Sequence, residues 1–304
     1  MSAIILRGIN GANPLGYLAA LGTLRLLGEG ARLRWVREEV WRPVVEVPGE
    51  TGETALCERL LAARTAPAEL FVSSLGKNIT VERTVYETFV RQAHDATSMD
   101  DRRLADFAAA FGNEVCDDEK KGRIEYTPLC FITGSGHQDF LGTMRVLKMQ
   151  VTAEHLRSTL FETWKYVDKG LSMRWDPGDA KEYALRWNDP GPEGAWTVWG
   201  ANLLAVEALP LFPSFPKGRK LLTTGFRPIR RGGNRTHEFS WPIWDSPMSE
   251  DAVRSLVGMK DLQEDAPDTR TLGEMGISPV YRAQRIRIGA GANFKVSFRP
   301  ARAM

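Results

Sequence analysis

His94, His137, His155 and His237 are the only imidazoles in the chain, and no two stand at the i, i+4 spacing that lets one helix face hold a metal ion. His94 is followed by Asp95, the dinucleotide of metal-dependent phosphohydrolases and nucleases, but that chemistry needs further His and Asp ligands from other helices. The pair therefore stands as an alternative, a metal-dependent phosphohydrolase or nuclease, beside the plainer reading of a surface histidine next to an acid. The run Gly134-Ser135-Gly136-His137-Gln138-Asp139 sets serine, histidine and aspartate side by side, whereas triad members converge from separate elements. The run also lacks G-x-S-x-G spacing. Gly134, Ser135 and Gly136 fit a tight turn at a helix start, where backbone N–H groups can meet an anion. No G-x-x-x-x-G-K-[ST] motif is present, so nothing supports nucleotide hydrolysis. The residues predict a protein that is not an enzyme, with no cofactor and no resident metal.

Charge points elsewhere. The 304 residues hold 40 Lys and Arg against 38 Asp and Glu, a formal net charge of +2 that by itself indicates no partner. The distribution is uneven. Lys217, Arg219, Lys220, Arg227, Arg230, Arg231 and Arg235 lie in a stretch from Lys217 to His237 that contains no acid. Arg282, Arg285, Arg287, Lys295, Arg299 and Arg302 lie in a second acid-free stretch, from Met275 to Met304. Outside these stretches acids outnumber bases. Such asymmetry concentrates positive potential where a polyanion can lie. Ten of the thirteen cations are arginines, whose planar forks suit bidentate phosphate contacts and stacking on bases. The two stretches predict two phosphate-contacting patches, one of Lys217, Arg219, Lys220, Arg227, Arg230, Arg231 and Arg235, the other of Arg282, Arg285, Arg287 and Lys295. Trp241, Trp244 and Phe294 are close enough in sequence to offer base-stacking platforms. The bland alternative is a set of solvated strand faces, and a third reading is a protein-interaction adaptor whose basic faces dock acidic partners.

The elements that must carry these residues read as a mixture. Residues 3–7 predict a strand, and Asn13-Pro14 a helix N-terminus leading to one apolar face through Leu15, Leu18, Ala19, Gly22 and Leu26. Strands are expected at 32–36 and 40–47, helices at 53–64, 81–93 and 100–111, then an exposed charged connection to Lys121 and a strand at 123–132. Helices follow at 138–149, 152–164 and 198–208. Arg174-Trp175-Asp176-Pro177 and Arg186-Trp187-Asn188-Asp189-Pro190 are near copies that read as strand-to-turn corners. Strands at 220–226, 237–244, 280–288 and 294–299, with short helices over 249–275, complete the pattern. The absence of regular βαβ alternation predicts an α+β fold of mixed helices and mainly antiparallel strands. A change of character near Leu171 permits two lobes, helix-rich over 1–170 and strand-containing, Trp-rich and basic over 171–304, or one domain.

Cys57, Cys116 and Cys130 are odd in number and widely spaced, which predicts buried free thiols. No apolar run reaches the roughly 18 residues of a membrane span, and the N-terminus lacks the features of a secretory signal. The expectation is a cytoplasmic protein with no membrane contact.

Several stretches carry a family likeness: Asn13-Pro14-Leu15 leading into YLAALGTLRLLGE, then DRRLADFAAAFGNE, GSGHQDFLGTM, RWDP with YALRWNDP, GANLLAVEALPLFP and TTGF. Together they resemble proteins encoded in type I-G (formerly type I-U) CRISPR-Cas loci, of the Csb series and its large-subunit relatives. The resemblance runs from Ile4 to about Phe298. It implies a subunit of a Cascade-like surveillance complex in antiviral defence, with guide RNA, target DNA and other effector-complex subunits as partners, while a separate helicase-nuclease cleaves.

Overall fold

The computed structural model describes residues 1–49, 51–64, 74–98, 101–118, 122–134, 138–178, 196–231, 233–288 and 294–304. Strand β1 (Ser2–Ile5) leads into α1 (Pro14–Leu27), and β2 (Arg32–Arg37) and β3 (Trp41–Val47) complete a three-stranded antiparallel sheet with β3 in the centre. Helices α2 (Glu53–Ala63), α3 (Arg83–Asp95) and α4 (Arg103–Phe111) precede a hairpin of β4 (Gly112–Asp118) and β5 (Arg123–Tyr126). Helices α5 (Phe140–Gln150) and α6 (Ala153–Phe161) come next, then the short pair β6 (Asp168–Lys169) and β7 (Trp196–Thr197), then α7 (Trp199–Glu207). A hairpin of β8 (Ser214–Lys217) and β9 (Lys220–Thr223) follows, then β10 (Phe226–Arg231) and β11 (Asn234–Trp244). After α8 (Glu250–Val257) and α9 (Thr269–Glu274), β12 (Ile277–Ile288), β13 (Lys295–Phe298) and β14 (Arg302–Ala303) close an antiparallel sheet ordered β10-β11-β12-β13, with β14 also on β12. The fold is α+β.

The start of α1 follows the rule that Asn before Pro implies. Asn13 Oδ1 accepts the N–H of Leu15 at 2.8 Å and of Gly16 at 3.3 Å, and Pro14 leaves no amide to orphan. Beyond the cap, α1 is a core helix, as its apolar positions imply, and its burial goes further than the one face they mark. Every residue of α1 except Arg25 is buried, so the helix is central, enclosed on all sides rather than amphipathic. It packs so closely on α7 that a Cβ at Gly22 would stand 1.7 Å from the Leu204 carbonyl oxygen. The cap is itself held: Asn13 Nδ2 donates to Asp176 Oδ1 at 2.9 Å, and the Tyr166 hydroxyl to Asp176 Oδ2 at 2.7 Å. Asp176 belongs to the Arg174-Trp175-Asp176-Pro177 corner, which lies in irregular backbone rather than at a strand end, and buried Trp175 donates to the Leu129 carbonyl at 2.8 Å. The near copy at 186–190 lies outside the described residues.

Two further expectations need correction. As far as Asp118 the charged stretch after Phe111 is no exposed connection: it is β4, paired with β5 and with Cys116 buried, while residues 119–121 lie outside the described residues. The strand expected to Ile132 ends at Tyr126, and Thr127 to Ile132 fold as a buried, turn-rich segment. The three cysteines are free and buried, as expected. One buried apolar cluster runs continuously from Leu6 to Phe298 across residue 170, joined by α1 on α7 and by the indoles of Trp241 and Trp244, which donate to Gly11 and Leu33 carbonyls at 2.9 and 2.8 Å. Among the described residues no helix is long and apolar enough to cross a membrane.

Leu18 is fully buried in α1. Leu18→Ala should lower unfolding free energy by about 2–5 kcal/mol in urea denaturation. Gly22→Ala should cost at least as much, because its clash is with backbone that cannot rotate away.

Candidate functional site

Side chains alternate across a strand, and this period sorts the basic residues into two populations. Register pairs Phe226 with Phe239, Pro228 with His237 and Arg230 with Arg235 on one face of the β10–β11 ladder. On β12 the same face carries Tyr281 opposite Trp241, Ala283 opposite Phe239, and then Arg285 and Arg287. This face is apolar at one end, where Phe239 stacks on Trp241 at 5.0 Å and on Phe226 at 4.9 Å. It turns cationic at the other.

The cations of the opposite face are engaged within the protein. Arg227 sits across from Glu238 and donates to its Oε2 at 2.7 and 3.0 Å, with Asp265 as a second carboxylate partner. Arg282 is 1% exposed, with Nε donating to Ser240 Oγ at 2.8 Å and Nη2 to the Leu262 and Glu264 carbonyls at 3.0 and 2.7 Å. These two cations, expected on a phosphate-binding surface, tie down the segment after α8 instead. Arg282 is three residues from Arg285 and five from Arg287, odd offsets that place it on the other side of the strand. The side chain of Arg231 lies outside the described residues.

The remaining cations converge. Hairpins β4–β5, β8–β9 and β10–β11, together with β12, enclose a cleft of about 840 Å³. Arg219 and Lys220 from the first acid-free stretch, Arg235 from its far end, and Arg285 from the second stretch all line it, joined by Arg123 from β5. Asp117 and Glu125 are the carboxylates among its lining residues. Glu125 Oε2 accepts the Leu221 N–H at 2.8 Å and so joins two of the hairpins, while Asp117 Oδ1 stands 3.7 Å from Arg219 Nη2. Lys217 and Arg230 lie directly opposite lining residues: Lys217 pairs with Lys220 across the β8–β9 tip and Arg230 with Arg235 near the β10–β11 tip. All four are exposed. Like charges directly opposite on paired strands destabilise a hairpin, so both tips carry a repulsion that a bound anion would relieve.

Deeper in the cleft the character changes. Arg285 lies with its guanidinium 5.3 Å from the Phe131 ring and Nη2 donating to the Cys130 carbonyl at 3.3 Å; burial pulls its pKa down. His237 is held at about 4, below the usual 6.5, first by burial and then by the charges of Arg285 and Arg235. Its Nδ1 is buried and has no hydrogen-bond partner among the described residues. Burial also pushes the Tyr126 hydroxyl up. The cleft therefore presents a cationic rim and, within it, one imidazole that is neutral at pH 7.

Other expected residues fall elsewhere. Arg287 lies over the Phe294 ring at 4.4 Å, and Phe294 is 36% exposed, a cation–aromatic pair on the surface. Lys295 is half-buried on β13, its pKa lowered by burial and then by Arg174. Neither of these nor Phe294 is among the cleft's lining residues. Trp241 and Trp244 are 0% and 1% exposed and cannot stack on a ligand; Trp241 lies on the aromatic face of β11, and the register shifts between Pro242 and Trp244, so that Trp244, three residues on, is in the core as well. Gly134 has φ 97 and already donates its N–H to the Gln138 carbonyl at 2.9 Å; Ser135 and Gly136 lie outside the described residues. His94 and Asp95 are 88% and 82% exposed at the end of α3, 3.7 Å apart. Among the described residues no group of three or more His, Cys, Asp or Glu is placed to hold a metal ion.

Sequence reasoning missed Arg123 and His237. Arg123 follows Lys120 and Lys121 in a stretch where acids outnumber bases, and His237 is distinguished from any other histidine only by its partners across the fold. No protein-family model matches the chain, and no curated protein matches it in sequence.

Because the folded state refuses a proton that the unfolded chain accepts, the stability contributed by neutral His237 is fully present above about pH 6.5 and is lost as pH falls toward 4. The term is on the order of 2–3 kcal/mol. In urea denaturation the loss of stability between pH 7 and about pH 4.5 should be smaller in His237→Gln than in the parent by roughly that amount.

Proposed function

We propose that this chain is a non-catalytic nucleic-acid-binding subunit that holds the phosphate backbone of RNA or DNA along the cationic cleft. The observation that carries the reading is the meeting of two acid-free stretches, far apart in sequence, on one cleft whose hairpin tips set Lys217 against Lys220 and Arg230 against Arg235. A folded protein gains nothing from such pairs alone. A polyanion threaded between them exchanges repulsion for charge-assisted hydrogen bonds and releases counterions. His94 and Asp95 are solvent-exposed and belong to no group of three or more His, Cys, Asp or Glu among the described residues, which supports binding over metal-dependent hydrolysis. With the resemblance to type I-G CRISPR-associated subunits, this reading extends to a place in a cytoplasmic surveillance complex, where the cleft would face guide RNA or target DNA and the rest of the surface other subunits.

Phosphate contacts make affinity salt-dependent, with a log–log slope of about 0.7–0.9 per contact depending on strandedness. Replacing Arg219, Lys220 and Arg235 together by Ala should weaken binding to unrelated sequences and flatten the slope by roughly two to three units in anisotropy titrations. Arg227→Ala should instead lower stability and leave the slope unchanged, since its charge is spent on Glu238 and Asp265. Unaltered affinity and slope in a folded triple variant would refute the reading.

A further inference from the structure

A purely electrostatic phosphate channel has no use for a neutral side chain at its inner wall. Protonated imidazole would serve a phosphate better, yet His237 sits where burial and the neighbouring guanidinium groups of Arg285 and Arg235 hold it neutral at pH 7. Its surroundings in the cleft are also mixed. Tyr126, Leu222, Phe226 and Pro228 offer apolar surface, and Thr223 and Thr236 are uncharged polar neighbours. Thr236 Oγ1 donates to the Arg285 carbonyl oxygen at 2.6 Å, tying β11 to β12 beside the histidine.

Size constrains the occupant. About 840 Å³ is the scale of a pocket for a small molecule, within the roughly 300–1,000 Å³ of such sites, and not of a channel for a double helix. A nucleotide has the matching parts: a phosphate for the cations, an apolar face for the aromatic and aliphatic walls, and a polar edge for a neutral donor or acceptor. Bases offer those edges when they are not paired, so the matching polymer is a single strand.

The tautomer can be assigned from the burial. A buried N–H without an acceptor is costlier than an idle lone pair, so the proton belongs on Nε2, with Nδ1 as the unpartnered atom. His237 then carries one ring N–H donor, and Arg285 stands beside it with its Nε buried and likewise without a partner among the described residues.

We propose that the cleft reads as well as holds its ligand: it seats one unpaired nucleotide of a bound single strand, with His237 as the specificity-determining residue toward the base edge and Arg285 as its cationic neighbour. This rests on the nucleic-acid reading above and adds base preference to it. Backbone contacts alone position a strand without discriminating sequence, whereas a hydrogen bond to a base edge that a competing base cannot make costs that competitor about three- to tenfold.

The test uses the full chain and labelled single-stranded homopolymers of A, C, G and U, with free nucleoside 5′-monophosphates and inorganic phosphate as competitors. The expected result is a preference of about three- to tenfold among homopolymers, abolished in His237→Phe without change in the salt slope. One nucleoside monophosphate should compete better than inorganic phosphate, a measurement that needs no variant and stands if His237→Phe fails to fold. Equal binding of all four homopolymers with a steep salt slope, and no advantage of any monophosphate over phosphate, would overturn the inference and leave the polyanion reading standing. Competition between monophosphates with no gain in affinity from a polymer would do the reverse, leaving a nucleotide pocket and removing the strand. Failure of both polymers and monophosphates to bind would remove both.

Discussion

The sheet face that carries Phe226, Phe239, Trp241 and Phe298 can be buried in only one way, and the position of every cation on β10 to β13 follows from that. Phe239 is in contact with Phe226, Trp241 and Phe298 at ring separations of 4.9 to 5.8 Å, and with Tyr17 of α1 at 6.3 Å. Tyr17 in turn stacks on Trp35 at 5.8 Å. A slip of one residue would turn this aromatic set to the opposite face, so register is strongly specified. Once it is set, Arg235, His237 and Arg285 lie on the extension of the aromatic face and enter the cleft, while Arg227, Glu238 and Arg282 must lie on the other.

That separation lets one sheet use arginine in two ways. Arg227 and Arg282 hold structure: one is matched to carboxylates, the other saturates backbone carbonyls in a place water does not reach. Buried charges are tolerated only with such partners. Arg235 and Arg219 are exposed, and Arg219 Nη2 stands 3.7 Å from Asp117 Oδ1. An exposed cation at the rim keeps its hydration, whereas Arg285 deeper in the cleft has already lost water.

The central helix supplies the other half of the frame. Because α1 is enclosed on all sides and its cap is bonded to Asp176, the corner beyond α6 is tied to the start of the chain. Glycine at position 22 brings α1 and α7 into backbone contact, and α7 leads directly to the hairpins that form the cleft. A change in the α1–α7 spacing would therefore reach the cleft through chain connectivity as well as through the core.

Local chemistry determined much from sequence alone. Asn13-Pro14 opens α1 because a cap acts within a few residues, and alternation located most strands for the same reason. The two acid-free stretches were equally legible, since charge counts need no coordinates. Which of those charges meet was not. Arg123 and Arg285 are 162 positions apart and share a cleft only because three hairpins pack together. The burial of Trp241, Trp244 and Arg282, the pairing of Arg227 and the neutrality of His237 depend on what lies across the sheet, and no window of sequence contains that. Charge composition was a property of the chain; whether each charge is spent on the fold or left exposed was decided by tertiary packing, because burial sets the cost of leaving a cation unpaired.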